Sequence, residues 1–346
     1  LDKCIPMLAH LLSNNLCSLN PNEDKLTFTV EIDFDSKGKV IKNDFFEAVG
    51  SNDEWIFKNL GIKERRIVEG EVTSDLASKA ALIALEDAGI TAAEVNLIIV
   101  ATSTPDRQAP STACFVQEKI NAPHAVAFDI SAVCSGGIYG LAIGSQFIQT
   151  GMYKNVLVIG ADVFSSITDW SRKDSVFFGD GAGAVLLSAT TEDKGFIDFK
   201  LHADGKGKYH FNIPAGGCEI PASEETIKQG LHYFQMNGKE VFNTATKVLP
   251  EVIHEVLADN NLTANDIDWV IPHQPSVRIL QKVAEEVNIP FEKVMTNMDK
   301  YANTSGGTIP IVLDETYKSG KIKEGNTLLF AAVGSGWTWG AALYKV

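Results

Sequence analysis

Several function classes need features that this sequence lacks. None of its apolar runs approaches the roughly 18 residues of a membrane span. The N-terminal CIPMLAHLL is interrupted by Pro and His and has no small-residue cleavage pattern, so no signal peptide is expected. Cysteine is scarce: five residues, odd in number and without a CxxC pair, argue against both a disulfide framework and a zinc site. The seven histidines are scattered, with no metal-ligand spacing. Positive charge is also short. A formal net charge of −14 disfavours nucleic acid as a partner and requires a local basic patch wherever an anionic ligand binds. A reducing, cytoplasmic compartment is the expectation.

What is present is the composition of an ordinary globular protein, 45% hydrophobic and 21% charged. A chain of 346 residues exceeds one typical core, so two domains or one large layered unit are expected. Self-similarity supports a layered unit. The stretch LEDAGITAAEVNLIIVATSTP from Leu85 is echoed by LADNNLTANDIDWVIPHQPSV from Leu257, an offset of 172. CSGG at Cys134 is echoed by TSGG at Thr304, and GAVLLS at 183–188 by GAALYK at 340–345. Three echoes in the same order indicate duplication. LASKAALIALEDAGI has apolar residues at helical spacing, while NLIIVATS and NVLVIGAD are continuous apolar runs suited to a buried sheet. Two similar α/β halves should therefore pack face to face, with helices between and outside two mixed sheets, and loops from both halves converging beyond the strand ends.

Within this frame FDISAVCSGG sets Cys134 where a strand runs into small residues that let a helix begin. A helix N-terminus favours a thiolate, although a buried free cysteine is also an ordinary core residue. His273 follows the strand-like IDWVIP, and Asn303 precedes TSGG at the second half's equivalent corner. Singly, these are a structural histidine and a turn residue. Brought together by duplication, a thiol, an imidazole and an amide suit nucleophilic catalysis on a thioester. FGDGAGA at 178–184 runs into a strand and has no Gly-Lys-Ser/Thr, so its glycines read as close backbone packing, not a phosphate loop. GSGWTWG at 334–340 has a sharper alternative, because its backbone N–H groups can face an oxyanion.

NDEWIFKNLGIKERRI, the Cys134 corner, FGDGAGA, PHQPSVRI, YANTSGGTIP and GSGWTWGAAL together resemble the ketoacyl-acyl-carrier-protein synthase III family, in order from about residue 40 to the end. The resemblance implies a thiolase-like α/β fold: two duplicated halves, 41–195 with Cys134 and 196–346 with His273 and Asn303, in five layers α-β-α-β-α. It implies that Cys134 takes an acyl group from acyl-coenzyme A. His273 and Asn303 then stabilise the enolate formed when malonyl-acyl carrier protein loses carbon dioxide, starting fatty acid synthesis. The oxyanion hole would be the N–H groups of Cys134 and Ser335. Trp55, Arg172, Gly238, Phe242, Ser276 and Arg278 would line the coenzyme A tunnel, with Trp stacking and Arg pairing phosphate. A homodimer is implied, with no tightly bound cofactor, metal, nucleic acid or membrane. A relative in secondary metabolism and a catalytically silent partner subunit stay open as alternatives; the intact Cys, His and Asn set disfavours the second.

The sequence departs from the family pattern at named positions. Asn59 replaces a tunnel Arg, Gly137 and Val333 replace Phe near the acyl pocket, and Asn243, Glu285 and Glu286 stand where carrier docking usually uses basic residues. Glu285 and Glu286 lie one turn from Lys282, which with Arg278, Arg172 and Lys173 makes up the candidate basic mouth. Residues 1–40 do not match the family. They resemble a short piece of an RNB-type exoribonuclease domain, too short to carry that activity. Within them LTFTVEIDF alternates as a strand that could replace the family's first, and DSKGK reads as a turn.

Overall fold

The computed structural model describes residues 52–346, preceded by the backbone of two short strands, β1 (Ile32–Phe34) and β2 (Val40–Asn43). These two pair with each other, antiparallel, in a sheet of their own. The end of LTFTVEIDF therefore does not take the place of a first strand in a main sheet. A partner a few residues on closes a far shorter loop than a distant sheet edge does. The DSKGK segment at 35–39 and residues 1–31 lie outside the described residues.

The first described helix, α1 (Asp53–Leu60), is signalled at both ends. Asn52 caps it by accepting the Trp55 N–H at 2.8 Å, Asp53 and Glu54 fill the first turn, and Gly61 ends it at φ 83°. Trp55 and Asn59, four residues apart, share one face. Then come α2 (Thr73–Ala88), β3 (Leu97–Ala101), α3 (Thr112–Lys119), β4 (Val126–Ile130), α4 (Gly136–Gln149), β5 (Asn155–Asp162) and β6 (Gly181–Ser188). The first sheet runs β4-β3-β5-β6, with β3 parallel to both neighbours and β6 antiparallel to β5. All five residues of β3, LIIVA, are buried, as a parallel strand covered on both faces requires.

The second half holds β7 (Gly195–Ala203), the short pair β8 (Phe211–Asn212) and β9 (Gln235–Met236), then α5 (Gly238–Asp259), β10 (Trp269–Pro272) and α6 (Val277–Glu286). It ends with α7 (Thr308–Lys318), β11 (Thr327–Gly334) and β12 (Thr338–Lys345). Its sheet runs β10-β11-β12-β7. Helices α4 and α7 lie between the two sheets, α2 and α3 cover the outside of the first, and α5 and α6 the outside of the second. This is the five-layered thiolase-like arrangement.

The duplication has a single register. Starts at 97 and 269, at 155 and 327, and at 136 and 308 pair β3 with β10, β5 with β11 and α4 with α7, each 172 apart. The counterpart of Cys134 is therefore Gly306, not the Thr304 that the CSGG/TSGG echo suggests. The backbone agrees, since Val133 (φ 48°) and Ser305 (φ 51°) occupy the left-handed region at the same place in the two corners. Both corners need small residues, and the shared Ser-Gly-Gly reflects that need displaced by two positions. The halves differ most after β5. Residues 163–180 intervene before β6, whereas only Ser335–Trp337 separate β11 from β12.

Candidate active site

Cys134 lies in a single helical turn, Val133–Ser135, that leads directly into α4. Its side chain is buried and its Sγ lies 3.7 Å from Ser305 Oγ on the opposing corner. Burial pushes the thiol up to about 12; the Ser305 contact opposes this and the nearby Asp162 adds to it. The resting side chain is therefore a thiol, and forming a thiolate here needs a proton acceptor.

His273 directly follows β10, and its N–H continues the ladder to Ala331 O at 2.9 Å. The ring is buried and Nδ1 lies 2.8 Å from Thr308 Oγ1, the first residue of α7. Burial pushes the imidazole down to about 3, so the ring is neutral at physiological pH.

Asn303 is fixed by its backbone against residues 177–179, with Asn303 N to Phe177 O and Gly179 N to Asn303 O both 3.1 Å. Its Oδ1 accepts the Ser305 N–H at 2.8 Å. With the oxygen so used, the amide NH₂ is what remains to donate to a ligand. The same corner is clamped by Asp162, whose Oδ2 accepts the Gly306 N–H at 3.0 Å. The other oxygen, Oδ1, takes Ser103 N–H at 2.7 Å. Burial raises this carboxyl to about 6 against those hydrogen bonds.

Gly334 ends β11 and Ser335 begins the turn that follows. A Cβ on Gly334 would lie 2.7 Å from Ala132 O, 2.9 Å from Ser135 N and 3.0 Å from Cys134 N. Only glycine leaves the Cys134 N–H uncovered. The Ser335 hydroxyl is spent on Phe211 O, which leaves that residue's main chain as its possible contribution to chemistry.

Cys134, His273, Asn303 and Ser335 line one cavity of about 180 Å³, together with Trp55, Gly238, Phe242, Ser276 and Arg278. Of the residues expected in the catalytic set and the coenzyme A tunnel, Arg172 alone does not line it. Its guanidinium turns to Asp174, two residues on, in a bidentate pair (Nε–Oδ1 3.0 Å, Nη2–Oδ2 2.7 Å). The neighbouring Lys173 instead places its ammonium 4.9 Å over the Trp55 ring. At the mouth Arg278 donates to Asn59 Oδ1 at 3.1 Å, so the Asn that replaces an Arg tethers the remaining one. Ser276 caps α6 through the Ile279 N–H at 3.4 Å.

Much of the remaining wall is aromatic: Phe177, Phe178, Phe211 and Trp337 face the same space. Phe178 is stacked on Phe164 with centroids 4.3 Å apart and meets Phe234 edge-on at 4.9 Å, so the wall is rigidly backed. Sequence reading did not find these residues, nor Thr308 and Asp162. Phe178 and Thr308 stand inside FGDGAGA and YANTSGGTIP, but nothing local says which way they point. The glycines of FGDGAGA do serve packing, with Gly181 and Gly183 allowing β6 to approach Thr304 and α7. Gly137 does not widen the pocket. A Cβ there would meet Gly306 O at 3.2 Å and Ile309 at 3.6 Å, so α7 already fills that space. Val333 does line the cavity, and that departure falls on the pocket itself. Among the described residues no group of three or more His, Cys, Asp or Glu is placed to hold a metal ion.

Comparison with known proteins identifies the family. The family model for the 3-oxoacyl-[acyl-carrier-protein] synthase III C terminal matches residues 257–346, and the synthase III model matches 128–205. The chain is 47% identical over 310 residues to β-ketoacyl-[acyl-carrier-protein] synthase III of Caldanaerobacter subterraneus subsp. tengcongensis, covering 89% of this chain and 94% of that protein. The chain belongs to the 3-oxoacyl-[acyl-carrier-protein] synthase III family. It is an acyltransferase of the condensing type. The synthase III of Clostridioides difficile is 46% identical over 87% of this chain and 92% of its own length. The crystal structure of the Aquifex aeolicus synthase III superposes with a TM-score of 0.81 at 42% identity, over 88% of this chain and 94% of that one. Outside the synthase III match, an RNB domain model matches residues 1–56, most of which lie outside the described residues.

Proposed function

We propose that the chain transfers an acyl group from acyl-coenzyme A to Cys134 and condenses it with malonyl-acyl carrier protein. In the first half-reaction the Cys134 thiol proton passes to His273 while sulfur attacks the thioester carbonyl. The tetrahedral oxygen is held by the Cys134 and Ser335 N–H groups, and coenzyme A leaves as a thiol carrying the proton that His273 received. In the second, His273 and the Asn303 amide donate to the malonyl thioester oxygen. Carbon dioxide leaves, the resulting enolate carbon attacks the acyl-enzyme, and the released Cys134 thiolate takes up one proton. Trp55, Gly238, Phe242, Ser276 and Arg278 line the route for coenzyme A, with Lys173 and Arg172 beside the mouth. The nucleophile, proton acceptor and oxyanion donors all come from the chain, and the reading requires no metal or prosthetic group.

The observation that carries this reading is the shared cavity of Cys134, His273, Asn303 and Ser335. It also disfavours a catalytically silent subunit. Intact mass after exposure to a panel of acyl-coenzyme A thioesters tests it. The wild type should gain one acyl mass and Cys134→Ala none; an undiminished adduct on the variant would place the nucleophile elsewhere.

A division into functional halves at 195/196, a homodimer and a cytoplasmic location belong to the same reading. The second sheet begins with β7 at Gly195, which supports that division. The outer edge of β4 has no partner strand among the described residues and exposes Val126, which suits sheet continuation across a twofold axis. Among the described residues no helix is long and apolar enough to cross a membrane. One observation favours a second reading, in which a secondary-metabolic acceptor replaces an acidic carrier. Lys282, a candidate docking cation, is held by Glu285 at 3.4 Å and Glu286 at 2.7 Å.

A further inference from the structure

The two half-reactions ask opposite things of one nitrogen. To take the Cys134 proton, His273 Nε2 must present a lone pair; to hold the malonyl thioester oxygen, it must carry a hydrogen. Nδ1 is the nitrogen joined to Thr308 Oγ1, at 2.8 Å. His273 lines the cavity, so Nε2, on the other side of the ring, serves the reacting groups. Which nitrogen is protonated is therefore decided at Thr308.

Thr308 has one hydroxyl hydrogen and two places to put it. Its Oγ1 also lies 2.9 Å from the Ser305 carbonyl oxygen, which can only accept. When the hydroxyl donates to Ser305 O, Thr308 accepts from Nδ1–H, and both contacts are hydrogen bonds. When it donates to Nδ1, the Ser305 contact is forgone. The first arrangement makes two bonds and the second one, so the resting enzyme holds the first. Both residues are buried, with Thr308 2% and His273 3% exposed, and water does not compete for these positions.

We infer that Thr308 is the positioning residue that sets the proton-bearing nitrogen of His273, and that its hydroxyl turns between Ser305 O and His273 Nδ1 as catalysis passes from acyl transfer to condensation. This rests on the reading of His273 proposed above. In the resting state Nδ1 carries the hydrogen and Nε2 is bare, ready for the Cys134 proton. That proton leaves again with coenzyme A, so the ring ends the first half-reaction neutral. For condensation, water entering the cavity gives a proton to Nε2 and the Nδ1 proton passes out to solvent, an exchange with no net change of charge, after which the Thr308 hydroxyl donates to Nδ1. The Ser305 oxygen is not stranded, because it also accepts the Thr308 N–H.

The test combines ¹⁵N spectroscopy of the His273 ring with separate rates for the two half-reactions. The wild-type ring should show the Nδ1–H tautomer at rest; an Nε2–H ring at rest overturns the inference whatever the variants do. Thr308→Val keeps the shape and removes the hydroxyl. It should give a mixed tautomer and slow both acyl transfer and malonyl decarboxylation, by about tenfold to a hundredfold, the scale on which a metal-bound histidine suffers when it loses its orienting partner. Thr308→Ser keeps the hydroxyl and should restore both rates to within about threefold, on the same scale. A Thr308→Val enzyme with wild-type rates and tautomer overturns the inference. If the wild type forms no acyl-enzyme at all, the functional reading fails instead, and the resting tautomer still decides the role of Thr308.

Discussion

Gly334→Ala is the smallest change that tests the oxyanion geometry. The added carbon would lie 2.7 Å from Ala132 O, 2.9 Å from Ser135 N and 3.0 Å from Cys134 N. All three are main-chain atoms, so no flexible side chain can swing aside. Relief requires the end of β11 or the Cys134 turn to move by several tenths of an ångström, and the methyl then covers the N–H that should meet the tetrahedral oxygen. Losing one such donor costs on the order of a hundred- to a thousandfold in rate, about 2.7–4 kcal/mol. Single-turnover acylation by acyl-coenzyme A, followed by intact mass, measures this directly. Gly217→Ala is the control, since nothing lies within 4 Å of its Cβ position. Thermal unfolding of both variants separates loss of fold from loss of rate. If Gly334→Ala folds normally and acylates within about threefold of wild type, far short of the loss expected for one donor, the Cys134 N–H does not hold the oxyanion.

Two further outcomes follow from the charges in and around the cavity. Burial raises the Cys134 thiol to about 12, so alkylation of the resting enzyme by iodoacetamide should keep rising with pH through 9; a plateau below pH 8 would show that the N-terminus of α4 outweighs burial. Replacing both Glu285 and Glu286 by Lys frees Lys282 from contacts of 3.4 and 2.7 Å and should tighten binding of an acidic carrier several-fold at low salt, without changing self-acylation. No gain in surface-plasmon titrations would mean that the acceptor docks away from α6.

The layered fold was legible from local signals, whereas Cys134, His273 and Asn303 stood out only through the duplication and the family resemblance. Apolar runs marked β3 and β5, and duplication located the two corners. The register error had an equally local cause, since Ser-Gly-Gly recurs wherever a corner packs tightly. Thr308 and Asp162 were not legible. Each acts through a partner far along the chain, Thr308 on His273 and Asp162 on Gly306, and only the assembled sheets bring them together. Arg172 was misplaced for the opposite reason: a nearby carboxylate, Asp174, claims it before the cavity can.

The corrected register also explains why a duplicated fold has one active corner and not two. Asp162 and Gly334 occupy the same place, each the last residue of its strand, β5 and β11. At the second-half corner the Asp162 carboxylate accepts the Gly306 N–H and fills the position over the turn. At the first-half corner the equivalent residue has no side chain, and the Cys134 N–H stays open to a substrate oxygen. The second corner, closed to ligands, becomes scaffold. It presents Asn303, and through Thr308 it holds His273, both of which line the cavity that Cys134 also lines. The long segment 163–180, absent after β11, then walls the open side with Phe177 and Phe178. The two corners of one ancestral motif have thus divided the chemistry. On the proposed reading, one keeps the nucleophile and an open oxyanion site, and the other fills its own site and supplies the groups that act on the first.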